Sequence, residues 1–332
     1  MNPQWSLYLE KNAPVTAKEN PSCAFSPLDD GLIRVTGEEA RDFLQGQLTN
    51  DIRRVSESRA QLSGYCTPKG RMLALFLVFE QEGALYLQLP RERLEAVLER
   101  LRMFVLRSRV ELADVSDEKT LAGVAGSGCA ELFGDLPEEP FVCRQEQSLT
   151  LIRMPGETAR VQMVGSPAAM TAFHQAHAHR LQRADDDYWP LQNIRAGLPT
   201  VVDATAEAFV PQMCNLDLLG GISFTKGCYT GQEVVARMRY LGQLKRRMYL
   251  ARIDATPCPA PGQRLFSPSS RSAQGAGKVV DARPRPGGGC EALVVAEIRA
   301  FESGDLRLED AEGPPLSLEE PPYGLKSEET PS

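Results

Sequence analysis

The chain is short of the residues from which most catalytic and metal sites are built. It has three histidines in 332 residues, all in one run, His174-Gln175-Ala176-His177-Ala178-His179. On a helix the first two share a face and the third does not. Helical zinc sites instead use pairs at i and i+4 with a further ligand nearby. A solvated helix face is therefore expected, and no histidine is left elsewhere to serve a Ser-His-Asp or Cys-His catalyst. The eight cysteines, at 23, 66, 129, 143, 214, 228, 258 and 290, form no C-x-x-C pair and no regular spacing. In a chain this long they read as reduced thiols, not as a disulfide framework. No glycine-rich segment matches a phosphate-binding loop, and GVAGSG at 123–128 reads as a turn. No apolar run reaches the ~18 residues of a membrane span. The longest, 72–79, suits a buried strand. The opening MNPQWSLYLEKNAP lacks the basic-then-apolar layout of a signal peptide. A cytoplasmic protein without membrane contact is expected.

What is present describes a globular chain. Hydrophobic residues make up 42% and charged residues 24%, enough for sizeable cores and, at ~150 residues per domain, for two or three of them. The net charge of −7 argues against a nucleic-acid-binding surface over the whole protein, but not against a local basic patch.

Apolar spacing then divides the chain. A polar lead-in, loose or partly helical, covers 1–20. A strand is expected at 32–35, and a helix at 37–50 behind a Thr36/Glu39 capping box. A turn follows in QLSGYCTPKGR (61–71). A β-hairpin is expected from 72–79 and 84–89, then a helix opened by Pro90, and strands at 107–112 and 121–125. Strands at 149–154 and 160–164 precede a helix from Ser166-Pro167 to about Gln182 and a shorter one at 188–196. Beyond Gly242, short strands at 247–253, 277–280, 291–298 and 306–308 are separated by Pro/Gly/Ser-rich stretches, the pattern of a small β-barrel. A loose tail is expected from about 311.

The most concentrated stretch is 211–247. Thr230 and Glu233 have the spacing of a second capping box, with a helix expected from Gly231. Cys228 precedes it, near Lys226. A helix start and a neighbouring cation both favour a thiolate, so a reactive thiol and a buried structural one stand level. Arg237, Arg239, Lys245, Arg246 and Arg247 form either a solvated face or a site for an anionic partner. Asp51 is either a helix C-cap or an acceptor for an amine-bearing ligand, and Trp189 either core or a platform for a flat heterocycle.

The segment KGCYTGQE (226–233) resembles the signature of the YgfZ family. FLQGQLTND (43–51), YCTPKGR (65–71), IRAGLP (194–199), VDA (202–204), the whole of 209–237, KRR (245–247), GKVVDA (277–282) and PPYGL (321–325) follow in family order, so the resemblance spans about 25–325. It implies an α+β fold similar to the glycine-cleavage T-protein, a tetrahydrofolate-dependent aminomethyltransferase, with three domains around a central opening. These would be an N-terminal folate-binding domain at 1–115, completed by part of 190–240; a second domain at 116–240; and a C-terminal β-barrel at 241–325.

The resemblance further implies a folate-binding accessory protein that supports iron–sulfur cluster assembly or repair, and through it tRNA modification. Its partners would be tetrahydrofolate or a derivative, iron–sulfur proteins such as the tRNA methylthiotransferase, and transiently tRNA. Asp51 matches the T-protein's catalytic Asp, and Cys228 the family's functionally important thiol. Trp189 would line the folate site with Lys226 and Tyr229, and Arg195 or Arg237 would meet the glutamate tail. No resident metal is implied. Two positions depart from the pattern. Gly31 stands where relatives carry Trp, and RMPGETAR (153–160) stands in place of the T-protein's Gly-Tyr-Thr-Gly-Glu segment, whose Glu holds the pterin, which argues against aminomethyl transfer. A tetrahydrofolate-dependent one-carbon transferase is the alternative.

Overall fold

The computed structural model describes residues 2–11, 22–134, 137–240, 244–272 and 275–325. The chain divides into two compact units, one of residues 1–63 and 76–189, the other of 64–75 and 190–332. No described helix is long and apolar enough to cross a membrane.

In chain order the first part comprises α1 (Pro3–Lys11), β1 (Ala24–Leu28), β2 (Asp30–Thr36), α2 (Ala40–Gln47), β3 (Gln61–Cys66), β4 (Met72–Gln81), β5 (Ala84–Pro90) and α3 (Arg91–Arg102). It continues through β6 (Glu111–Asp114), β7 (Thr120–Ala125), α4 (Cys129–Phe133), β8 (Cys143–Glu146), β9 (Leu149–Met154), β10 (Arg160–Gly165), α5 (Pro167–His177), β11 (Gln182–Arg183) and α6 (Tyr188–Arg195). One five-stranded sheet has the order β3-β4-β5-β2-β6, and one six-stranded sheet the order β11-β1-β7-β10-β9-β8. Strand β4 is buried over almost its whole length, as its unbroken apolar run requires. It turns into β5 through Glu82 and Gly83, both at positive φ (53° and 74°), the two-residue geometry that matches strand twist. Helix α3 buries Leu94, Val97, Leu98 and Leu101, each contributing roughly 1.5–3 kcal/mol. Leu94 also explains Gly31: a Cβ there would stand 2.9 Å from Leu94 Cβ, which leaves no room for a tryptophan.

The second unit holds a long irregular segment, α7 (Gln232–Tyr240), and then β12 (Arg246–Ile253), β13 (Arg264–Phe266), β14 (Gly277–Pro284), β15 (Cys290–Glu297), α8 (Ile298–Ser303), β16 (Arg307–Leu308) and β17 (Leu316–Glu319). These strands form an antiparallel half-barrel in the order β16-β13-β14-β15-β12-β17. Its edges meet at an Arg307–Pro315 bridge. Tyr249, Leu265, Val279 and Val294 fill it. The irregular segment is tied to β12 by side chains. Buried Asn215 donates to the Met248 carbonyl at 2.8 Å and accepts from its amide at 3.3 Å, and Arg247 grips Asp217 with two bonds of 2.7 and 2.9 Å.

Several local expectations are corrected. The Thr36/Glu39 capping box does not form. Thr36 ends β2, and the Glu39 carboxylate accepts from the Arg109 amide at 2.7 Å instead. The strand expected at 107–112 lies at Glu111–Asp114, and α5 stops at His177, the chain pairing as β11 by Gln182. Strands β13 and β17 were not foreseen, the latter inside the expected loose tail; residues 326–332 of that tail lie outside those described, as do 12–21 of the lead-in. His174 is not solvated. It is buried against Phe25, and its Nδ1 meets the Tyr8 hydroxyl at 2.7 Å. Cys258 and Cys290 are joined as a disulfide, because the half-barrel brings their Cα atoms to 5.7 Å across 32 residues of sequence.

Candidate functional site

In the first unit Asp51 follows α2 and caps the short turn Ile52–Arg54. Its Oδ1 accepts from the Arg53 amide at 3.2 Å and from Gln45 Nε2 at 3.0 Å. Gln45 is buried, and its carbonyl accepts from the Ile52 amide at 2.9 Å. Asn50, also buried, accepts from the Asp51 amide at 2.9 Å and donates to the Leu62 carbonyl. The carboxylate is therefore fixed in direction on one oxygen, while Oδ2 has no hydrogen-bond partner among the described residues. Such a group can accept a proton or a hydrogen bond from a ligand nitrogen.

Trp189 is only 4% exposed. It lies on Gly123 of β7, where a Cβ would stand 2.3 Å from the ring. The Arg160 guanidinium covers it at 4.9 Å from the ring centroid, and burial pushes that guanidinium down to about 9. Gly123 is in register with Gln162 of β10. Gln162 and Gln88 of β5 exchange amide hydrogen bonds at 2.6 and 3.3 Å, and Gln88 donates to Asp30 at 2.6 Å. Burial pushes the Asp30 carboxyl up to about 6. This polar ladder from Trp189 to Asp30 was not singled out in the sequence. Its one local signal is a glutamine within each of two apolar strands.

In the second unit the two family-like segments pack together. Gly231 has φ +86°, and a Cβ there would stand 2.4 Å from the Thr67 carbonyl; a Cβ on Gly70 would press on Val234. The turn TPKG (67–70) thus seats directly on TGQEV (230–234). This overrides the second capping box. With Gly231 left-handed, α7 starts at Gln232, and Thr230 and Glu233 make no capping hydrogen bond among the described residues. Lys226 is buried with its ammonium 5.0 Å from the centre of the Tyr229 ring, and burial raises the Tyr229 phenol. Cys228, between them, is exposed. The free cysteines 23, 66, 129, 143 and 214 are buried, and burial pushes Cys66, Cys129 and Cys143 up to about 12. Access alone separates Cys228 from the other thiols.

The basic run does not form one cationic face. Arg247 is spent on Asp217, Arg246 on Glu297, and Arg239 lies over Phe224 at 4.1 Å. Arg237 is exposed, and no partner is found for it among the described residues. Arg195 is gripped by both oxygens of Glu291 at 2.8 and 3.0 Å, which holds that carboxyl below its usual range. No three His, Cys, Asp or Glu side chains converge as a metal site among the described residues.

No protein-family model matches the chain. The tRNA-modifying protein YgfZ of Yersinia pseudotuberculosis is 32% identical over 317 residues, covering 94% of this chain and 96% of that protein. The tRNA-modifying protein YgfZ of Colwellia psychrerythraea is 33% identical over 245 residues, covering 70% and 75%. Among solved structures, the glycine cleavage system aminomethyltransferase T of Bartonella henselae has the same fold, with a TM-score of 0.72 at 13% identity, over 97% of this chain and 98% of that one. With that sequence likeness running nearly end to end over a T-protein fold, the chain belongs to the YgfZ family of tRNA-modifying proteins.

Proposed function

We propose that this protein is a cytoplasmic folate-binding accessory factor that supports assembly or repair of iron–sulfur clusters, and through them the methylthiolation of tRNA. The observation that carries the reading is Asp51, anchored through Oδ1 and open at Oδ2 on a fold shared with an aminomethyltransferase. The Asp51 carboxylate fits a reduced folate, since its open oxygen can accept from an N–H on the edge of the ring. Trp189, closed on one side by Gly123 and covered by Arg160, would serve as a platform only if Arg160 moved aside. Arg195 would meet a carboxylate tail only by giving up Glu291. When bound, the folate supplies a nucleophilic ring nitrogen. The three-domain division at 1–115, 116–240 and 241–325 is supported by the sheets, since each range contributes most of one.

Cys228 is the proposed contact to the cluster protein. One thiolate cannot hold a cluster, so any contact is shared with the client's own ligands. The test is complementation of a strain lacking the protein. Cys228→Ser is expected to leave iron–sulfur enzyme activity and tRNA methylthiolation low; full restoration would overturn the role of the thiol.

Asp51 also favours a second reading, a tetrahydrofolate-dependent one-carbon transferase in which its open oxygen orients the reacting nitrogen. Purified protein given tetrahydrofolate and an aminomethyl donor would then form methylene-folate. Absence of turnover leaves the accessory reading.

A further inference from the structure

The turn that carries Asp51 is held by a second side chain of α2 besides Gln45. Arg41 stands four residues before Gln45, so the two lie one helical turn apart on the same face. Gln45 takes the start of the turn, at Asp51 Oδ1 and the Ile52 amide. Arg41 takes its far side: Nη1 donates to the Ile52 carbonyl and to the Val55 carbonyl, both at 3.0 Å. Ile52 therefore has its amide and its carbonyl bound by side chains of one helix. Ile52 is fully buried and Val55 nearly so, which fixes the turn from the core side as well.

Arg41 is itself held. Its Nη2 donates to Glu80 Oε2 at 2.7 Å. Glu80 belongs to β4, the strand buried over almost its whole length, and its side chain is 17% exposed. A pair on the open surface contributes little, because both side chains must be ordered in water. Here one partner is mostly buried and carried by a strand. The guanidinium uses separate nitrogens for the carboxylate and for the two carbonyls. A planar fork can do both, whereas a lysine has one nitrogen to offer.

We propose that Arg41 and Glu80 are positioning residues of the folate site: Glu80 sets Arg41, Arg41 sets the Ile52–Val55 turn, and the turn aims the open oxygen of Asp51 at the ligand. Neither side chain needs to touch the ligand. The proposal rests on the reading of Asp51 as the carboxylate that receives the folate, and it ties that carboxylate to β4 through one guanidinium.

The test is tetrahydrofolate titration calorimetry on a double-mutant cycle of the full chain: wild type, Arg41→Gln, Asp51→Asn and the two changes together. Arg41→Gln is expected to weaken binding by about tenfold. In the Asp51→Asn background the same change should alter affinity less than about twofold, because the carboxylate it acts through is gone. A purely structural role would give the same loss in both backgrounds. Glu80→Gln, which keeps an acceptor for Arg41, should bind as the wild type does, whereas Glu80→Leu should weaken binding in the same sense as Arg41→Gln. Arg34→Gln, which removes the β2 cation paired with Glu118, should leave affinity unchanged.

A second readout needs no ligand. Hydrogen exchange of the Arg53 amide, which donates to Asp51 Oδ1 at 3.2 Å, should quicken about tenfold in Arg41→Gln and keep its wild-type rate in Glu80→Gln and Arg34→Gln. If tetrahydrofolate does not bind the wild type, the folate reading fails and the exchange rate alone decides the role of Arg41. An unchanged Arg53 exchange rate in Arg41→Gln, undiminished affinity of that variant where the wild type binds, or an equal loss in the Asp51→Asn background would overturn the proposal.

Discussion

Gln45 holds Asp51 from one side and the next peptide from the other: its Nε2 donates to Asp51 Oδ1 at 3.0 Å and its Oε1 accepts from the Ile52 amide at 2.9 Å. A single buried amide thus sets both the carboxylate direction and the turn that carries it. Gln45→Leu would strand a buried amide hydrogen at Ile52 and is expected to cost about 1–3 kcal/mol in urea unfolding. Asp51→Asn keeps an acceptor for the Arg53 amide and should cost less than about 1 kcal/mol, while removing the charge offered to a ligand.

Asp30 gives a pH dependence of stability with a definite sign. Its carboxyl is raised to about 6 in the folded protein, against about 3.9 in an unfolded chain. Between those values the folded state binds more protons, so this contribution falls as pH rises from about 4 to 6 and stays lost above. Asp30→Asn, which retains an acceptor for Gln88, should therefore gain about 1–2 kcal/mol at pH 7 relative to wild type, and nothing near pH 4. His174 works in the opposite sense, since burial lowers it. The check is the wild-type-minus-variant difference in urea midpoint across that range, which cancels His174.

Gly231 is required both by its φ of +86° and by the Thr67 carbonyl against it. Gly231→Ala is expected to cost about 1–3 kcal/mol and to shift the Cys228 loop. Faster alkylation of Cys228 together with a lower melting temperature would show it.

The Arg247–Asp217 pair ties the irregular segment to β12, with side chains only 14% and 19% exposed. Asp217→Asn leaves a half-buried guanidinium without its counter-charge and should cost about 1–3 kcal/mol in urea unfolding, with a smaller salt dependence than an exposed pair would show.

The Cys258–Cys290 bond predicts a thiol count. Denatured, unreduced protein should react at six thiols, those of Cys23, Cys66, Cys129, Cys143, Cys214 and Cys228, and at eight after reduction. Closing a loop across 32 residues corresponds to roughly 3–4 kcal/mol, so the reduced protein should unfold at lower urea.

What could be read from the sequence depended on how locally each feature is specified. The β4–β5 hairpin was legible because an unbroken apolar run meets a Glu-Gly turn, and most half-barrel strands because Pro/Gly/Ser stretches bound them. The three residues of β13 and the two of β11 carry no period of their own and exist through their neighbours. Both capping boxes had the right spacing but lost to distant contacts, Glu39 to the Arg109 amide and Thr230 to the Thr67 carbonyl packed on the left-handed Gly231. Cys228 stood out in sequence by its surroundings and stands out in structure by its exposure. Asp30, Gln88 and Gln162 meet across two sheets, so that cluster has no spacing to detect.

The proposed reduced folate binds at the open oxygen of Asp51. Calorimetric titration of tetrahydrofolate into the wild type and into Asp51→Asn tests it most directly. Saturable one-to-one binding, weakened by about tenfold or more in Asp51→Asn while the melting temperature holds, is expected. Absence of saturable binding to the wild type, or equal affinity in the variant, would contradict it.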